Sequence, residues 1–186
     1  MEMIKKNELY EKIKKSLKKY IDDNYVDIKK YTMENGVREK AGRISGTFLS
    51  SKMNKTSSSR NHTKDSLENR VNHISDTWQE SLFNFIDIKG FNEVEVYKTA
   101  GIDRKLFSKI RSNKDYKPKK NTVLAFAIAL NLNIDETRDF LKRAGYALSP
   151  SSKFDLIIEY FIENEIYDFY TINLALTDYK ESVIIE

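Results

Sequence analysis

The chain has no cysteine, only two prolines, two histidines and one tryptophan, and each scarcity removes a class of protein. Without cysteine there is no disulfide and no thiolate metal site. His62 and His73 share no helix face and sit in polar sequence, so we expect no metal centre and no zinc chemistry. No apolar run approaches the roughly 20 residues of a membrane span. No signal-peptide core follows the N-terminal lysines. We therefore expect a soluble, cytoplasmic chain of bacterial type that does not attach to a membrane. A catalytic constellation is also missing. Ser149 to Ser152 reads as a cap and turn with no histidine near in sequence, and the acids at 159, 163 and 165 read as one solvated helix face. The stretch NGVREKAGRISGTFLSS sets glycines beside Arg38, Lys40 and Arg43 but lacks phosphate-loop spacing. The expectation is a protein that is not an enzyme and carries no cofactor.

What the chain does have is charge, unevenly placed. Its 186 residues carry a net +4, room for one ordinary domain or a small domain with an extension. Between Lys98 and Lys120, nine basic side chains stand against Asp103 and Asp115, a local net of +7. From Phe154 onward Lys180 stands alone against eight acids, a local net of −7. A basic pole suits a polyanion, because affinity for nucleic acid comes largely from phosphate neutralisation and counterion release. The acidic pole would stay clear of that partner or dock a basic protein surface.

Apolar spacing predicts an all-α protein. Residues 1–31 set Ile4, Leu9, Ile13, Leu17, Tyr20, Ile21, Ile28 and Tyr31 mostly three or four apart, an amphipathic helix with a break near Asp22 to Asn24. It would pack on the domain, pair with a second copy or enter a partner's groove. From Met33 to Asp76 the sequence turns to Ser, Thr, Asn, Lys and Arg, too polar to offset the entropy of ordering. The division expected is an N-terminal helical arm over 1–49, a flexible linker over 50–66 and a domain over 67–186. A short helix from Leu67 to Ile74 leads in. Helices then follow at Thr77 to Ile88, Glu93 to Ala100, Asp103 to Ser112, Thr122 to Asn131, Asp135 to Gly145, Ser151 to Asn164 and Phe169 to Thr177. Thr77 with Glu80 has capping-box spacing, and Asn92 and Ser151 can cap their helices. The run VLAFAIAL, apolar on nearly every face, should be the central core helix. Phe154, Ile157, Ile158, Phe161, Ile162 and Ile166 form a broad stripe with Tyr160 and Tyr167 at its edges.

The segment Glu93 to Ile110 is the most specific. With Gly101 as the turn, Val96, Ala100, Ile102, Phe107 and Ile110 fall where two short crossing helices must touch. Gly101 can take φ > 0 and Asp103 can cap the second helix. On these residues, Thr77 to Gly145 resembles the Cro-like, phage-repressor family of helix-turn-helix domains. The resemblance implies five packed helices, extended here by C-terminal helices and the N-terminal amphipathic arm. More narrowly, YKTAGIDRKLFSKIRSNKDYKPKK followed by RAGYALSPSSKFDLIIEYFIEN is similar to a helix-turn-helix-like module of clostridial and related bacterial proteins. That module is found at the C-terminal ends of otherwise unrelated proteins, and the similarity spans residues 76–180.

The resemblance implies nucleic-acid binding, most readily of double-stranded DNA, in a transcriptional regulator. Arg104, Lys105 and Ser108 would face base edges, and Lys109, Arg111, Lys114, Lys117, Lys119 and Lys120 would meet phosphates. The arm would supply dimerisation or a partner contact. Two departures favour a rival. Tyr97 stands where repressors of this kind place a small residue, and Glu93 and Glu95 open a helix where carboxylates repel DNA. The alternative is an adaptor or inhibitor that grips a protein or nucleoprotein enzyme of the host, as phage and mobile-element proteins do, through the arm or the acidic pole.

Overall fold

Helix endings set the plan of this chain. The computed structural model describes residues 2–27 and 77–185, and among these every regular element is a helix. They are α1 (Glu2–Asn24), α2 (Trp78–Ile88), α3 (Glu93–Thr99), α4 (Arg104–Ser112), α5 (Lys120–Ala129), α6 (Ile134–Arg143), α7 (Lys153–Glu163) and α8 (Phe169–Asp178). The expected linker at 50–66, the helix at Leu67 to Ile74 and both histidines lie outside the described residues.

Six helices close in the same way. After α2, α3, α5, α6, α7 and α8 comes a residue with positive φ: Gly90, Gly101, Asn131, Gly145, Glu165 and Lys180. At each, the next amide reaches back to a carbonyl in the last turn: Phe91 to Ile86, Ile102 to Tyr97, Leu132 to Ala127, Tyr146 to Leu141, Ile166 to Phe161 and Glu181 to Leu176. This is the Schellman closure, in which an apolar residue just past the turn folds back on the helix; only Glu181 breaks that apolar pattern. The starts are equally local. Thr77 with Glu80, and Asn133 with Glu136, form complete capping boxes. Asn92, Asp103 and Asp168 accept from the first turns of α3, α4 and α8.

Some boundaries differ from expectation. Helix α5 starts at Lys120 rather than Thr122, with Lys119 as its N-cap just after Pro118. Ser152, not Ser151, caps α7 by accepting from Asp155 N, while Ser151 bonds to Ser149. Glu165 lies past α7 in a left-handed conformation, so it shares no helix face with Glu159 and Glu163.

Helix α5 is the centre of the core. Val123 to Ala129 are all buried, and α5 packs on α3 and α6, while α6 also meets α2 and α7. Trp78 stacks on Phe140 at 5.7 Å and lies near Phe126 and Tyr116. The stripe of α7 is internal, as expected, but Tyr160 is buried rather than at its edge.

Of the three courses open to the N-terminal helix, α1 takes packing on the domain. It packs on α7 and α8, and residues 1–27 belong to one compact unit with 76–186. Among the described side chains of α1, Tyr10, Leu17 and Ile21 are buried, whereas Leu9 is 38% exposed. Tyr10 donates to Asp178 Oδ2 at 2.8 Å, and Lys14 Nζ lies 2.8 Å from the same oxygen. Ser16 and Tyr160 share a hydroxyl hydrogen bond of 2.6 Å, and Val26 N donates to Pro150 O. The Leu17 stripe is thus covered by the chain's own helices and is not open to a second copy.

Candidate nucleic-acid interface

The turn between α3 and α4 positions the basic residues. Gly101, at φ +65°, makes the reversal, and Asp103 Oδ1 accepts from Leu106 N at 2.8 Å to start α4. Phe107 and Ile110 then bury one side of α4, together with Val96 of α3 and Ala100, its C-cap; Ile102 is half-buried. Tyr97, the large residue in place of a small one, is half-buried at the side, with its ring 5.0 Å from that of Phe107. The opposite side of α4 presents Arg104, Lys105, Ser108 and Lys109 to solvent. Ser112, four residues after Ser108, is exposed on the same face by helical spacing. It was missed in the sequence, although that spacing was the signal for it.

The nine basic-pole residues divide into two sets. Lys98, Arg104, Lys105, Lys109, Lys114, Lys117 and Lys119 are exposed. Lys109 also lies over the Tyr116 ring at 5.7 Å, and burial raises the Tyr116 phenol above its ordinary value. Arg111 is exposed but engaged: it pairs with Glu93 and lies 5.2 Å and 5.8 Å from the Phe83 and Phe107 ring centres. Lys120 is only partly exposed, at 25%, and is already engaged. Its ammonium lies 2.6 Å from both oxygens of Asp155, whose side chain is 3% exposed.

Beside the end of α4 is a cleft of about 450 Å³, lined by Phe83 and by Glu80, Asp87, Glu93, Arg111 and Lys114 among others. Hydrogen bonds from the Thr77 backbone and hydroxyl hold Glu80 below the usual carboxylate range, so it stays ionised. The cleft is the negative edge of a positive face.

The acidic pole is less of a surface than its sequence implies. Asp155 holds Lys120, Glu159 holds Arg138 at 2.7 Å, Asp168 caps α8 and Asp178 holds Tyr10 and Lys14. Asp155, Glu159 and Asp178 join helices, and Asp168 starts one. Among the described residues no three of His, Cys, Asp and Glu are grouped to hold a metal ion, and no helix is long and apolar enough to cross a membrane. No family model, no curated protein and no solved structure matches the chain.

Proposed function

We propose that this chain binds double-stranded nucleic acid, with DNA as the preferred form, using α3 and α4 as a helix-turn-helix and α4 as its recognition helix. The observation that carries this reading is the division of α4. Phe107 and Ile110 are in the core, whereas Arg104, Lys105, Ser108 and Lys109 all face solvent. Short side chains such as Ser108 let a helix approach a groove closely, while the arginine and lysines beside it can reach base edges and phosphates. Lys114, Lys117 and Lys119 extend the positive surface past the helix end. The resemblance of Thr77 to Gly145 to Cro-like domains supports the same assignment, and with it a role in transcription. Fluorescence polarisation with labelled duplexes tests it: binding should weaken steeply as salt rises. Absence of binding at low salt overturns it.

A second reading is favoured by two exposed apolar side chains. Ile88 is 81% exposed and Val94 44% exposed, and carboxylates at Asp87, Glu93 and Glu95 are their sequence neighbours. An apolar and acidic surface suits a basic protein partner better than a phosphate backbone. In that reading the chain is an adaptor or inhibitor of a host protein or nucleoprotein enzyme. Affinity capture with and without nuclease separates the two: a stoichiometric partner that survives nuclease supports the adaptor.

A further inference from the structure

Arg111 is the last basic residue of α4, and its exposed charge is already engaged. The guanidinium rests on Phe83 of α2 and Phe107 of α4, and its carbonyl accepts from Gln79 Nε2 at 2.7 Å. The two rings and the hydrogen bond fix the last turn of α4 against α2. The charge of the guanidinium is met by Glu93 of α3, and both side chains of the pair keep contact with solvent, at 53% and 38% exposure.

A guanidinium binds carboxylate and phosphate through the same planar fork of donors. A backbone phosphate arriving at this edge of the helix therefore meets a fork that already holds a carboxylate. Nearby charge acts in the same direction. The cleft is lined by three carboxylates, Glu80, Asp87 and Glu93, against Arg111 and Lys114. Neutralising Glu93 would leave two of each sign.

We propose that Glu93 sets the strength of nucleic-acid binding by competing with a backbone phosphate for Arg111. The inference rests on the nucleic-acid reading and deepens it. Arg111 is a phosphate ligand held in reserve, and Glu93 is the positioning residue that withholds it. The exposed pair is in reach of an incoming phosphate, and the aromatic seat keeps the fork oriented whether or not Glu93 is ionised.

The test is a double-mutant cycle on a labelled DNA duplex, with Trp78 fluorescence verifying that each variant remains folded. Glu93→Gln removes the charge and keeps the shape. It should bind roughly tenfold more tightly at low salt, the effect of about one charge-assisted hydrogen bond. The slope of log affinity against log salt should steepen by about 0.9, the signature of one more neutralised phosphate. Glu93→Ala should show the same gain. In Glu93→Gln with Arg111→Ala the gain should vanish. A gain that persists without Arg111 means that only general repulsion was relieved, and overturns the proposal. If the wild type binds and Glu93→Gln binds no tighter, the proposal falls while the nucleic-acid reading stands. If neither binds at low salt, both fall together.

Discussion

Lys120 and Asp155 form a bidentate ion pair, with the ammonium 2.6 Å from both carboxylate oxygens, that ties the start of α5 to α7. Asp155 also accepts from Ser149 N at 3.0 Å, so one carboxylate holds both the helix and the loop before it. Lys119, one residue earlier, is exposed. Adjacent lysines thus have different work, and substitution should separate them. Lys120→Ala strands a carboxylate that is 3% exposed and should cost roughly 2 to 3 kcal/mol, the lower side of a broken buried pair because Lys120 itself reaches water. Lys119→Ala should leave the melting temperature unchanged and weaken duplex binding. Thermal unfolding and polarisation measured on both variants check this; the reverse pattern would return Lys120 to the surface set.

The exposed face of α4 gives a second prediction. Arg104→Ala with Lys109→Ala should weaken duplex binding, with the salt slope falling by about one charge's worth for the phosphate contact of Lys109. Both side chains are exposed, so the change in stability should stay within about 0.5 kcal/mol. Undiminished affinity in this double variant would place the contact surface elsewhere.

The left-handed closures supply a graded series. A Cβ at Gly101 would lie 3.0 Å from Cβ and Cγ2 of Ile185, whereas one at Gly145 would meet nothing within 4 Å. Gly145→Ala should cost about 1 to 2 kcal/mol from the left-handed conformation alone. Gly101→Ala should cost more, since the C-terminal tail must also shift. Glu165 already pays that conformational cost at φ +56°, so Glu165→Gly should stabilise by about 1 kcal/mol. Denaturant midpoints followed by Trp78 fluorescence rank the three, and equal losses at both glycines would remove the role assigned to Ile185.

The contact of α1 with α8 should respond to acid. Hydrogen bonds from Lys14 and Tyr10 hold the Asp178 carboxyl below its ordinary value of 3.8. A depressed carboxylate stabilises the folded form above that ordinary value, and the contribution disappears as pH falls through the lowered one. Solvent reaches this carboxylate, at 35% exposure, so the effect is modest. Amide exchange in α1 should accelerate selectively below about pH 4. In Asp178→Asn the pH dependence should flatten; an unaltered acid profile in that variant would assign the loosening to another group. On the alkaline side, burial and the Asp178 bond raise the Tyr10 phenol well above its usual value. Its contribution is present below pH 10 and lost only as pH climbs through the raised value.

What could be read in the sequence follows the range of each interaction. Thr77, Asn92 and Asp103 announce their caps because acceptor and amide are two or three residues apart. Gly101 announces its turn because few other residues take positive φ without strain. The run at Val123 to Ala129 announces a core helix by being apolar on all sides. The arm was different: Tyr10 looks like an edge residue until Asp178 is placed beside it. The fate of Lys120 depends on Asp155, 35 residues away. The same limit applies to the acidic pole, where composition counts charges but not the helices they join. On the basic face, exposure of Arg104, Lys105, Ser108 and Lys109 followed from the helical period, whereas the diversion of Arg111 required the spatial position of Glu93.

The hydrogen bond from Tyr10 to Asp178 spans 168 residues, and that between Ser16 and Tyr160 spans 144. Helices α2 to α8, by contrast, mostly stop and start through bonds only a few residues long. Order of assembly follows from this difference. Short-range closures form without a large loop entropy to overcome, whereas bringing α1 onto α7 and α8 waits until those two helices exist as a platform. Side chains such as Leu17 then become ordered after the rate-limiting step, so trimming Leu17 should speed unfolding and leave the refolding rate nearly untouched. The first helix of the chain would be the last to arrive.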